Sequence, residues 1–185
     1  MVPYFIFSEE FASRPECRTT VCQVLPILRE VYTDSMDHIL HVGPSACGVV
    51  LKLLKEEKAE AWGLLPFEPS APVHSVCENL IRKGLIRVAD VTQPLPYRSN
   101  SFSLVLANDV VDSMQSKQLN VTLKELARAT SESVVLLISR FPDIILNRLK
   151  IVKTDLWFMS VFVMQGIILN WLNLVKTALW FIFVL

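Results

Sequence analysis

Gly43-Pro44-Ser45, Asp90 and the pair Asn108-Asp109 each follow directly on a short apolar run: HILHV, GLIRVA and SFSLVLA. Glycine at the end of a strand lets backbone approach a ligand where a Cβ would intrude. Around Gly43 the small residues Ser45, Cys47 and Gly48 stand where nucleotide-binding turns usually carry several glycines. That stretch is either a cofactor turn or an ordinary one. Asp90 has the type and position to accept from the amino group of an adenine, or to serve as a loop charge or cap. Asn108 and Asp109 end the next apolar run, where the reacting group of a bound nucleoside would sit. The second run, AWGLL, lacks an acid at its end, a position from which a carboxylate accepts from both ribose hydroxyls. The nearest acid is Glu68, beyond Pro66, either a ribose ligand or a solvated charge. Together these residues describe a site for a nucleoside cofactor.

Such residues converge only if the apolar runs are parallel strands with helices between them. Ile39–Val42, Ala61–Leu65, Leu85–Ala89, Ser103–Ala107 and Val134–Ile138 read as five strands. Between or before them, Val21–Tyr32, Ala46–Glu57, Val73–Lys83 and Leu119–Thr130 repeat apolar residues at helical spacing. Pro26 is able to kink or start the first helix, Gly84 is placed to end the third as its C′ residue, and Asp112 is a candidate cap. The alternation predicts an α/β, Rossmann-like domain with ligands at the carboxyl ends of the strands. His41 alternates inside a strand and reads as packed. His74 stands at a helix start and reads as a cap or surface residue, and Trp62 and Tyr97 read as core or rim aromatics.

Composition narrows the function. The chain has 185 residues, enough for one domain with a real core, and its 18 basic and 18 acidic residues cancel. No basic field exists to draw nucleic acid, so that partner is not expected. Cys17, Cys22, Cys47 and Cys77 form no CxxC pair, the three histidines fit no zinc spacing, and no metal is expected. Cys17 and Cys22 read as ordinary thiols. The opening MVPYFIF is too short to span a bilayer and has no basic residues before it, so it does not read as a signal peptide.

Several words of the sequence carry a family resemblance: LHVGP (40–44), LLKEE (53–57), EAWG (60–63), KGLIRVAD (83–90), PLPYRSNSFSLV (94–105) and ELAR (125–128). The chain resembles the plant cotton Golgi-related family of probable pectin (homogalacturonan) methyltransferases, within the class I S-adenosylmethionine-dependent superfamily. The likeness runs from about Cys17 to Leu137. It implies S-adenosylmethionine as cofactor, and the residues that position at the strand ends offers to hold it are Gly43, Pro44, Ser45, Glu68, Asp90, Asn108 and Asp109. It further implies a pectic polysaccharide acceptor, a Golgi membrane location and a complex with other Golgi cell-wall proteins. A cationic residue would help hold the polyanion, and Arg98 and Arg87 are the candidates, each equally readable as a solvated charge. Leu65 departs from the family pattern, which has an acid there.

From Leu156 charges almost vanish: LWFMSVFVMQGIILNWLNLV is about as long as a membrane-crossing helix. Three readings stay open: a transmembrane helix, a hydrophobic helix packed on the sheet, or an altered tail. The expected organisation is an extension (1–19), a methyltransferase-like domain (20–140), a linker (141–155) and a hydrophobic tail (156–185). On this reading the sheet is incomplete at its C-terminal edge, because no sixth or seventh strand pattern follows. The expected activity is methyl transfer; the alternative is a non-catalytic methyltransferase-like membrane protein acting as an interaction scaffold, or a truncated inactive form.

Overall fold

The computed structural model describes residues 19–32, 36–57, 59–66, 74–111, 114–138, 159–163 and 182–183. The order is α1 (Thr20–Val31), β1 (His38–Val42), α2 (Ala46–Lys52), β2 (Glu60–Leu65), α3 (Ser75–Arg82), β3 (Ile86–Val88), β4 (Phe102–Asn108), α4 (Ser116–Ala129), β5 (Thr130–Ile138), β6 (Met159–Val163) and β7 (Ile182–Phe183). The strands form one sheet in the order β3-β2-β1-β4-β5-β6-β7. All neighbours pair in parallel except β6 and β7. Chain progression reverses direction across the sheet between β1 and β4, so the topological switch point lies there.

Central strands covered on both faces need apolar side chains on both faces. In β1, Leu40 and Val42 join the layer packed on α4 through Leu119, Leu123 and Leu126. Ile39 faces the opposite layer, with Val24, Leu25 and Leu28 of α1 and Val49 and Val50 of α2. The same alternation continues along β4, where Val105 and Ala107 enter the first layer and Leu104 and Leu106 the second. Gly63 lets α2 lie close on β2: a Cβ there would come within 3.0 Å of the Ala46 Cβ and 3.1 Å of Val50 Cγ2. Gly84, at φ 74°, ends α3 as expected. The N–H of Leu85 donates to Leu80 O at 3.0 Å and that of Gly84 to Ile81 O at 2.9 Å. This is a Schellman motif.

Three sequence expectations are corrected. The apolar tail does not form one unbroken helix, because Met159–Val163 extends the sheet as β6, parallel to β5, and Ile182–Phe183 adds an antiparallel β7. An apolar run suits a strand buried in a parallel sheet as well as it suits a helix, and periodicity does not separate the two. The sheet is therefore not incomplete at that edge, and no described helix is long and apolar enough to cross a membrane. Secondly, α2 is regular only to Lys52; Leu53–Glu57 widen into a π-helical turn that keeps Leu53 buried. Thirdly, α4 begins a turn earlier than its apolar spacing, at Ser116 after Gln115, whose N–H donates to the Gln118 side chain at 3.1 Å. The N-terminal extension, the linker, Glu68 and Asp112 lie outside the described residues.

The cysteines also differ from expectation. Cys47 of α2 and Cys77 of α3, 30 residues apart in sequence with Cα atoms 5.3 Å apart, form a disulfide. Cys22 is disulfide-bonded as well, so it is not the ordinary thiol its spacing suggested. Packing of α2 beside α3 brings the first pair together, which no local spacing encodes.

Candidate active site

The residues singled out at the ends of β1 and β4 meet at the switch point. Register pairs Val42 with Ala107, so Gly43 and Asn108 follow side by side. A Cβ on Gly43 would come within 2.8 Å of the Asn108 carbonyl oxygen and run into its side-chain amide. Glycine is thus required at position 43 by the neighbouring strand. The turn is held by Gly43 N–H to Leu64 O at 3.0 Å and Ala46 N–H to Gly43 O at 3.2 Å. Pro44 follows it, and Ser45 precedes the first turn of α2. The Ser45 Oγ is buried and has no partner among the described residues. A buried hydroxyl without a partner suits a site that takes a polar ligand.

Asn108 is itself buried, and Asp109 emerges beside it into solvent. The Asp109 backbone has φ 54°. That is a left-handed conformation, uncommon outside glycine. The Asn108 amide donates to Asp109 Oδ2 at 2.9 Å. Behind it, Asn108 Oδ1 lies 2.8 Å from Nε2 of His41, a fully buried histidine next to the last residue of β1. Burial drives the His41 pKa down to about 4, with the Asn108 hydrogen bond opposing, so the ring is neutral near pH 7. The packed position expected for His41 holds; its connection to Asn108 had no sequence signal, since the two are 67 residues apart.

Asp90 stands two residues beyond β3. Its Oδ1 accepts from Thr92 N–H at 2.8 Å and from Thr92 Oγ at 2.7 Å. This is an Asx turn, in which a side-chain oxygen stands in for a backbone carbonyl. One carboxylate oxygen therefore shapes the loop while the other has no partner among the described residues. The loop reading of Asp90 is thus observed, and the second oxygen remains placed to accept from a ligand. Loop 94–97 after it is clamped from α4: Glu125 accepts from Leu95 N–H at 2.8 Å, and Arg128 donates to Tyr97 O at 2.8 Å and Leu95 O at 3.1 Å. Hence the words PLPY and ELAR, 31 residues apart, are two halves of one hydrogen-bonded unit.

Other candidates fall elsewhere. Arg98 is exposed in the turn before β4, at the opposite end of that strand from Asn108. Strand geometry separates the two ends by roughly 20 Å. The Arg87 guanidinium donates to Pro96 O at 3.0 Å and lies 5.4 Å over the Tyr97 ring. Tyr97 and Trp62 pack on Phe102 at 5.0 and 5.5 Å, as core aromatics. His74 caps α3, its Nδ1 accepting from Val76 N–H at 3.2 Å.

Residues 40–138 match the family described as "Methyltransferase domain". The chain belongs to that methyltransferase family, whose methyl donor is S-adenosylmethionine. Two plant proteins are similar to it. "Probable pectin methylesterase CGR3" of Arabidopsis thaliana is 50% identical over 121 residues, 65% of this chain and 46% of the relative. "Probable pectin methylesterase CGR2" of the same plant is 48% identical over 120 residues, with the same two shares of 65% and 46%. The chain thus spans about half the length of the curated relatives it matches. Among solved structures, the PH0226 protein of Pyrococcus horikoshii OT3 aligns with TM-score 0.48 and 16% identity, over 64% of this chain and 57% of that one. An S-adenosylmethionine-dependent methyltransferase from Archaeoglobus fulgidus aligns with TM-score 0.45 and 19% identity, over 71% and 55%.

The site fits the donor chemically. An unpartnered buried hydroxyl, a half-used carboxylate and an acid held at the switch point suit a ligand rich in hydroxyls and amines. Ser45, Asp90, Asn108 and Asp109 are the residues that would hold it. When bound, the donor supplies a methyl group made electrophilic by its sulfonium.

Proposed function

We propose that the chain serves S-adenosylmethionine-dependent methylation of galacturonate carboxyl groups of pectin, in the Golgi. The observation that carries the chemistry is the convergence of Gly43, Ser45, Asn108 and Asp109 at the switch point of a methyltransferase sheet. The pectic acceptor is supported by two relatives, each about half identical over the matched region, whose names refer to pectin methyl groups. The Golgi location is supported by the Cys47–Cys77 disulfide, since such bonds persist in the secretory lumen and are rare in cytosol. Association with the membrane and with other Golgi cell-wall proteins belongs to the same proposal.

A carboxylate acceptor simplifies what the protein must do. It is ionised near neutral pH and needs no general base before it attacks the methyl carbon. The chain's own contribution is then orientation of acceptor and donor and removal of water from between them. Arg98 stands at the other end of β4, so the grip on the polyanion at the carboxyl edge has to come from other residues.

The names of the relatives also suggest a second reaction, hydrolysis of the methyl ester. Isothermal titration of S-adenosylmethionine into the full chain, beside the Asp90→Asn variant, tests the first reading. Asn keeps the oxygen that shapes the Thr92 turn and replaces the other with a donor. Micromolar binding, weakened about ten- to a hundredfold in the variant by loss of a charged acceptor, is the expected result. A folded chain that binds no donor, and releases methanol from methylated pectin, would establish the second.

A further inference from the structure

The chain His41–Asn108–Asp109 has a direction, and the carboxylate sets it. The Asn108 side chain lies 2.9 Å from Asp109 Oδ2. A carboxylate only accepts, so the Asn108 group facing it has to be the Nδ2 amide. The amide oxygen then faces His41, and an oxygen also only accepts. His41 Nε2, 2.8 Å from that oxygen, must therefore carry the ring proton and leave Nδ1 bare. Consistently, Nδ1 is the buried ring atom without a partner among the described residues.

Position explains how the three meet. In β1 side chains alternate, so His41 shares the face of Ile39, toward α1 and α2. In β4, Asn108 shares the face of Leu104 and Leu106, which is the same layer. Both polar groups thus sit in an apolar layer, where each would be costly without the other. The pair satisfies Asn108 on the inside and leaves its amide protons for Asp109 on the outside. Asp109 meanwhile holds a left-handed backbone that neighbouring groups must enforce.

We propose that His41 is a positioning residue: its Nε2–H orients the Asn108 amide and, through it, the Asp109 carboxylate that meets the methyl donor. That Asp109 meets the donor rests on the function proposed above; the hydrogen-bond direction does not. Because the ring is neutral near pH 7, the orientation holds across the physiological range.

A double-mutant cycle on the full chain tests the link. Donor affinity is measured by titration calorimetry for wild type, His41→Leu, Asp109→Ala and the double variant. His41→Leu is expected to weaken binding about tenfold in the wild-type background and less than about twofold once Asp109 is Ala. His41→Gln, which keeps a side-chain N–H donor, should recover most of the loss and serves if the leucine variant does not fold. Equal losses in both backgrounds, or no recovery by Gln, would overturn the proposal. Imidazole nitrogen NMR of the ligand-free protein gives an independent reading. A neutral ring protonated on Nε2 supports the chain of bonds, and one protonated on Nδ1 refutes it. If wild type binds no donor, the functional reading fails while the NMR result still decides the hydrogen-bond direction.

Discussion

Gly43 shows at the scale of one residue how much a missing Cβ can decide. Nucleotide-binding turns use glycine to admit a ligand, yet here the group that occupies the space is Asn108 of the adjacent strand. Gly43→Ala is therefore a test of strand packing as well as of binding. The nearest obstacle includes a backbone carbonyl, which cannot rotate away as a side-chain end can. Overpacking of this kind costs about 1–3 kcal/mol, which should appear as a lower urea midpoint at unchanged slope. An unchanged midpoint would mean that β1 and β4 separate without cost. Asp90 teaches a related lesson, since one carboxylate serves the loop with one oxygen and has the second to offer a ligand.

Among elements, the link between α4 and the loop before β4 is the part most open to test. Arg128 bonds three groups at once: two backbone carbonyls and Glu125, whose Oε2 lies 2.7 Å from its Nη2. Arg128→Met keeps the aliphatic stem and removes these bonds. Hydrogen bonds to charged groups contribute about 1.5–3 kcal/mol, so a loss of that order is expected in thermal or urea unfolding. The Arg128 side chain, followed by the Leu95 N–H, holds the Glu125 carboxyl below its ordinary pKa of 4.5. A group whose folded pKa is depressed stabilises the fold above its unfolded pKa and ceases to do so as pH falls through the folded one. The advantage of wild type over Arg128→Met should therefore be full at pH 7 and shrink below pH 4.5. A difference that stays constant down to about pH 3 would exclude the carboxylate as its source.

For the whole molecule, the disulfide between α2 and α3 closes a loop 30 residues long. Chain-entropy arguments put the stabilisation from a loop of that length at about 3–4 kcal/mol. Unfolding in urea with and without a reductant should differ by roughly that amount, and Cys47→Ser should behave like the reduced protein. Equal midpoints, with both thiols accessible to alkylation before reduction, would show that the pair is not bonded.

Much of this molecule was legible in one dimension. The five strands β1 to β5 and the helices between them follow from apolar spacing. Burial on one face repeats every 3.6 residues or so in a helix, and burial on both faces makes a strand a continuous apolar run. Gly43, Asp90, Asn108 and Asp109 were visible because each ends such a run, and in a parallel sheet run-ends share one edge. Local patterns could not assign the tail, whose apolar stretch suits a strand, a packed helix or a membrane span equally. Nor could they find the partners of His41, Cys47 and Arg128, which lie 67, 30 and 31 residues away in sequence. Those contacts exist only once helices and strands are packed. Sequence by itself determined which residues lie at the edge of the sheet; tertiary structure alone decided which buried groups hold them there. The reason is that hydrogen-bond partners are chosen by proximity in space, which side-chain periodicity along one element does not record.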